Sequence, residues 1–185
     1  MAEYYLISQL PSLDGISENT PLPINESQFL ELCSGFLSKK MLNELNRLTL
    51  VPEKNYEKSA SSLVSRWNEG EKNLRLALAS LRAEKLGKSI IADNASYPAD
   101  ILQTARTAIS AESPLEAEII LNKMRLAFLE TLRPMDSFSE EYIFYYGLKL
   151  KLLERIRKFD LQSGTKAYRK IYDSIMNKDK TEGEQ

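Results

Sequence analysis

The sequence predicts an all-α protein, a multi-helix bundle of about six or seven helices behind a short extended or irregular N-terminal segment. Apolar residues recur every three or four positions, as at Leu63, Trp67, Gly70, Leu74, Leu78 and Leu81, and that spacing lines one side of a helix. Capping signatures stand where such stretches begin. The apolar–polar alternation of a half-buried strand is scarce along the 185 residues.

Taken in order, Glu3 to Leu10 is short, aromatic and apolar, and fits an extended edge piece or a helical turn equally well. Pro11 to Pro23, rich in Ser, Pro, Asp, Gly and Asn, reads as a loop. Asn25-Glu-Ser-Gln28 has the form of a capping box, ahead of a helix carrying Phe29, Leu30, Leu32, Cys33, Phe36 and Leu37. Ser38 is a candidate cap for a second short helix with Met41, Leu42, Leu45 and Leu48, and Pro52 ends that region. The long helix is expected from about Ser59 to Leu86. Glu69, Lys72, Arg75 and Arg82 form its wet side, and Gly87 suits the left-handed position past its end.

Lys88 to Ser96 is ambiguous, with Asp93 and Asn94 favouring a turn. Pro98 suits the first turn of a helix bearing Ile101, Leu102, Ala105 and Ile109. Ser113-Pro-Leu-Glu116 is a second capping box. Its helix, to about Leu132, has one apolar face of Ile120, Met124, Ala127 and Phe128 and another of Leu115, Ile119, Leu126 and Leu129. A helix apolar on two sides is expected at the centre, with neighbours on both. Arg133-Pro134 stops it; Ser137-Phe-Ser-Glu140 opens the next, to about Phe159, and a last helix follows from about Thr165 to Met176. Residues 1–178 are expected as one helical domain and 179–185 as a disordered polar tail.

Composition narrows the chemistry. The chain has no histidine, which removes imidazole bases, Ser-His and Cys-His nucleophile pairs and histidine metal ligands together. One cysteine, Cys33, leaves no internal disulfide and fits a reducing compartment. Carboxylates alone are poor zinc ligands, and no Gly-rich phosphate loop is present. No catalytic, cofactor-binding or metal-ligating residue is therefore expected, and the chain reads as a non-enzyme. The opening MAEYYLISQLPSL lacks the basic flank of a signal peptide, and no segment approaches the roughly 18 apolar residues of a membrane span. A cytoplasmic protein is the expectation.

Charge is uneven although the formal net charge is −1. Lys149, Lys151, Arg155, Arg157, Lys158, Lys166, Arg169 and Lys170 are opposed over their span only by Glu154 and Asp160. Such a basic end favours an acidic partner, and Lys149, Lys151, Arg155 and Lys158 are the candidate partner interface. Lys149 stands out, because it interrupts the apolar stripe of Tyr142, Tyr145, Leu152, Leu153 and Ile156. Either it is a buried cation paired with a carboxylate or a partner contact, or it snorkels past the stripe, or Gly147 bends the helix and shifts the phase; the bland alternatives are the expectation. Tyr142, Phe144, Tyr145 and Tyr146 beside the basic helix raise base stacking, although two of these tyrosines fall on the core stripe. Trp67 and Cys33 are expected in the core. Glu140 and Glu141 suit the first turn of a helix, where carboxylates favour the dipole.

Three stretches resemble a known family. They are Tyr4-Tyr-Leu-Ile-Ser-Gln-Leu-Pro11, the segment Trp67–Gly87 with Glu71-Lys-Asn-Leu-Arg75 and Leu81-Arg-Ala-Glu-Lys-Leu-Gly87, and Leu148–Asp160 followed by Gly164. Together they resemble a family encoded within vacuolar-type ATP synthase operons of some bacteria. A remoter similarity is to the central-stalk C subunit of those synthases (d in eukaryotes), through Glu71, Asn73, Leu74, Arg82, Ala83 and Lys85. The resemblance implies a non-catalytic subunit or tightly associated factor that links the soluble central stalk to the proteolipid ring, peripheral to the inner membrane. Two other readings stand beside it: an assembly factor for that complex, and a nucleic-acid-binding module using the basic C-terminal region.

Overall fold

In the computed structural model, residues 2–16, 20–52, 61–88, 97–159 and 164–173 are described. Among them are eight helices and no strand. α1 spans Ala2–Gln9, α2 Glu26–Ser34, α3 Lys39–Asn46, α4 Ser62–Lys85, α5 Ala99–Ser110, α6 Pro114–Thr131 and α7 Glu140–Arg157; α8 covers 164–173. The N-terminal segment expected to be extended or irregular is thus helical. Its apolar positions Leu6 and Ile7 are buried side by side in the core, and packing on that larger surface stabilises a helix of only about two turns.

Polar side chains set the starts. Asn25 and Gln28 form the capping box, the Asn25 carboxamide accepting from Gln28 N at 2.9 Å and Gln28 Oε1 from Asn25 N at 3.0 Å. Ser38, Ser61, Ser113 and Ser139 each accept from the backbone N–H three residues on. At the second predicted box, Glu116 reaches the N–H of Glu112, one residue before the cap. Pro98 is the residue just before α5 and not in its first turn. Gly87 takes φ +65°, the left-handed turn past α4. The predicted start at Ser59, the turn at Asp93 and Asn94, the end at Met176 and the tail lie outside the described residues.

Two apolar clusters make the interior. The larger unites Leu6 and Ile7 of α1, Phe29 and Cys33 of α2, Met41 and Leu45 of α3, Leu63 to Trp67 of α4, Leu129 of α6 and most of α7. The smaller joins Leu74, Ala77 and Leu78 of α4 to Ile101, Ala105 and Ala108 of α5 and Leu121 of α6. Among the described residues only α4 and α6 enter both; at about 1.5 Å per residue α4 is a strut some 36 Å long.

α6 packs against α4, α5 and α7, as expected of a helix with neighbours on both sides, but the most enclosed helix is α7. Every residue from Ile143 to Leu150 is buried, as in a helix surrounded by neighbours. A Cβ on Gly147 would stand 3.0 Å from Leu48 and 3.2 Å from Phe29, so this glycine admits α2 and the end of α3 against an unbroken helix. In α6 Ile119 and Ala127 are exposed, whereas Ile120 and Met124 pack on the smaller cluster and Leu126, Phe128 and Leu129 on the larger. Its buried positions are Leu121, Asn122, Arg125 and Leu129, a single stripe whose two polar members hid it from an apolar count.

Candidate partner interface

Asn122 and Arg125 belong to a polar layer between the two apolar clusters. The Arg125 guanidinium donates to both Glu71 oxygens at 3.0 and 2.9 Å, a bidentate pair between α6 and α4. Its remaining nitrogen donates to Glu118 at 3.3 Å and to Asn122 at 3.2 Å. Arg75 adds a bond to Glu71 at 3.2 Å, and Arg155 of α7 grips Glu118 at 2.5 Å. Burial opposes the Arg125 charge, but Glu71 and Glu118 outweigh it and raise the pKa above the ordinary arginine range. One chain of ion pairs therefore ties three helices. Sequence reading missed it, although Glu71 and Arg125 lie in phase with the apolar stripes of their helices.

The four candidate interface cations divide sharply. Lys149 is only 7% exposed. Its ammonium meets Asp14 at 2.5 Å and Glu130 at 2.7 Å, and donates to the Tyr145 hydroxyl at 3.2 Å. Burial works against the charge, yet these three partners override it and hold the ammonium above the usual lysine range. The snorkelling and bent-helix expectations are corrected: Lys149 is a buried cation held by carboxylates, and its stripe position brings it to them. Asp14 lies in the loop after α1, too distant in sequence to be paired from pattern.

Lys151 pairs with Glu26, and Glu154 accepts from the Glu26 backbone N–H at 2.8 Å. α7 thus caps the start of α2 while neutralising the carboxylate there. Arg155 is committed to Glu118. Lys158 is exposed past the end of α7. Lys151, Glu154, Arg155, Lys158 and Phe159 line an open groove of about 390 Å³ with Glu26, Leu48, Thr49 and Leu50. Its lining mixes charged side chains of both signs with Leu48, Leu50 and Phe159.

Phe144, Tyr145 and Tyr146 are buried and Tyr142 is half-buried, so this cluster offers no platform for bases. Tyr146 donates to the Pro11 carbonyl at 2.9 Å, fixing α7 to the loop after α1. Trp67 and Cys33 sit in the core as expected, and burial pushes the Cys33 thiol up to about 12. Glu141 does more than favour its own helix dipole. Its carboxylate accepts from the N–H groups of Ser62 at 2.9 Å and Leu63 at 3.3 Å and from the Ser61 hydroxyl at 2.6 Å, capping α4 from α7.

α8 is the exception to this packing. All its residues are exposed, and the rings of Tyr168 and Tyr172 stack on each other with centroids 6.3 Å apart. Tyr168, Ile171 and Tyr172 share one side, three and four residues apart, whereas Lys166, Arg169 and Lys170 fall on the other. Among the described residues no group of acidic and cysteine side chains is placed to hold a metal ion, and no helix is long and apolar enough to cross a membrane. Comparison with protein-family models, curated proteins and solved structures finds no match for this chain.

Proposed function

We infer that this chain is a non-catalytic helical adaptor, and that it serves as a subunit or tightly associated factor of a bacterial vacuolar-type ATP synthase. It would join the soluble central stalk to the proteolipid ring on the cytoplasmic side, peripheral to the inner membrane. The adaptor part draws on one observation above all. The buried charges Glu71, Arg125 and Lys149 each meet an opposite charge on another helix, Glu71 with Arg125 and Lys149 with Glu130, the arrangement of a braced scaffold, while an amphipathic helix stands outside the core. A part that transmits force needs such cross-braced struts and an exposed contact element.

The synthase part is carried by the three resembling stretches. Their described residues lie chiefly in α1, α4 and α7; Trp67 joins the first and third in the larger apolar cluster, while Leu74, Ala77 and Leu78 of the second belong to the smaller. The nucleic-acid alternative loses part of its basis: Phe144, Tyr145 and Tyr146 are in the core, and Lys151 and Arg155 are neutralised by Glu26 and Glu118, which leaves it the exposed tyrosines and cations of α8.

The test is recovery of the tagged chain from gently solubilised membranes of the organism that encodes it. Stoichiometric recovery with catalytic, central-stalk and proteolipid subunits supports a structural part of the synthase. Substoichiometric recovery with unassembled subunits replaces that reading with an assembly factor. Recovery without any synthase subunit overturns both.

A further inference from the structure

A narrow cleft of about 90 Å³ opens between α6 and the end of α7, lined by Ile119, Asn122, Lys123, Leu126, Ile156 and Phe159. Leu126 and Ile156 back it from the larger apolar cluster, while Ile119 and Phe159 are each 40% exposed. Asn122 is only 4% exposed, and its oxygen accepts from Arg125 at 3.2 Å. Arginine has only donors, so this bond fixes the carboxamide, with its NH2 group turned away from Arg125. No described residue accepts from that nitrogen. Among the described residues, the enclosed side-chain polar atoms without a partner belong to Trp67 and Asn68. The Asn122 nitrogen is therefore open to solvent, and the cleft is the opening that Asn122 lines.

Charge around the cleft is positive. Lys123 lines it, is exposed, and pairs with no carboxylate among the described residues. Its neighbours one turn away on α6 are Ile119, Ile120, Leu126 and Ala127, none of them acidic. Arg155 lays its guanidinium over the Phe159 ring, 5.6 Å from the centroid. In the adjoining seam Arg75, Arg125 and Arg155 outnumber Glu71 and Glu118. A buried amide with unspent donors, an apolar wall and an unpaired cation match a ligand that brings an acceptor oxygen, an aliphatic group and negative charge. The cleft is far below the roughly 300 Å³ that drug-sized molecules need, and one aliphatic side chain fills it.

We propose that this cleft docks an acidic peptide segment of a partner protein, seating one leucine-sized side chain among Ile119, Leu126, Ile156 and Phe159. An oxygen of the segment accepts from the Asn122 NH2 group, and a flanking carboxylate pairs with Lys123. The aliphatic anchor supplies most of the affinity, and the charge at the rim selects the partner and its orientation. A contact built on one anchor belongs among small, reversible interfaces. The site deepens the adaptor reading and rests on it, but the two fail separately: peptide binding is read on the purified chain, recovery of synthase subunits on membranes.

The probe is a pentapeptide with both ends blocked, acetyl-Asp-Glu-Leu-Glu-Asp-amide, titrated to about 2 mM into the isotope-labelled full chain and followed by amide NMR. The side-chain NH2 resonances of Asn122 should shift and saturate together with the backbone amides of 119–126 and 156–159, with a Kd of about 10 to 500 µM. Alanine in place of the peptide's leucine should weaken binding about tenfold or more, the worth of one buried aliphatic side chain. Lys123→Glu, a change at an exposed position, should weaken it about fivefold or more with helix content unchanged, and so should about 0.5 M salt. Ile119→Glu, also at an exposed position, should abolish it. Absence of saturable shifts at Asn122 overturns the proposal, as do shifts confined to other surfaces or equal affinity for the alanine peptide. Full affinity in the Lys123→Glu chain overturns the choice of an acidic partner. Octanoate binding as tightly as the peptide overturns the choice of a protein segment and makes the cleft a site for small aliphatic carboxylates.

Discussion

Asp14 is half exposed, yet it helps hold a buried charge. The hydrogen bond from Lys149 keeps its carboxyl below the ordinary aspartate range, with smaller help from the Arg133 charge. A carboxyl depressed by folding adds stability above its unfolded value near 4, and that stability is lost as pH falls through the folded value. The urea midpoint of the wild type should therefore drop as pH falls below about 4. Asp14→Asn should flatten that drop and cost about 0.5–1 kcal/mol at neutral pH, since solvent screens the half-exposed partner. Lys149, shifted upward, contributes fully below its unfolded value near 10.4 and is lost only at more alkaline pH. Gly70 gives a second residue-scale test. A Cβ there would stand 2.3 Å from Phe128 Cε1, and that ring stacks on Trp67 with centroids 6.1 Å apart. Alanine favours an open helix position by about 1 kcal/mol; here Gly70→Ala should instead destabilise by about 1–3 kcal/mol, measured by urea unfolding. Adding Phe128→Leu should recover part of the loss.

Helix starts were legible because a cap is a local event: Asn25, Ser38, Ser113 and the Ser137–Glu140 run all announce themselves within four residues. What a helix packs against is not local. α7 shows only an ordinary stripe in its sequence, and its burial on every side follows from how α2, α3, α4 and α6 gather round it. The cap that Glu141 places on α4 is equally invisible from sequence, joining residues 78 to 80 positions apart. Glu141→Ala should destabilise the protein by about 1–2 kcal/mol in urea unfolding, the scale of a lost N-terminal cap. Glu141→Gln should cost less, because an amide oxygen still accepts from the exposed N–H groups. The neighbouring Glu140→Ala should change stability by under about 0.5 kcal/mol, as an exposed side chain without such bonds.

Across the whole molecule, two apolar clusters are joined by a charged seam. The pairing of Glu71 with Arg125 escapes pattern reading because each residue alone looks like an interruption of its stripe; only the crossing of α4 and α6 turns two interruptions into one contact. Arg125→Met leaves the buried Glu71 with one surface partner, Arg75, and should cost about 3–5 kcal/mol. Glu71→Leu combined with Arg125→Met should cost far less than the sum, as an apolar seam continuous with the clusters on either side. The candidate interface was legible in its charge and misread in its exposure. Of its four cations the fold buries Lys149, pairs Lys151 and Arg155 internally and leaves Lys158 exposed.

Hydrogen exchange of the isolated chain tests most directly the division into a braced scaffold and an exposed C-terminal helix. The amides of residues 143–150 should exchange slowest, at rates set by global unfolding, and those of 164–173 should exchange within the first seconds. Protection of α8 as deep as that of α7 would contradict it, placing α8 inside the core and removing the exposed element on which the adaptor proposal draws.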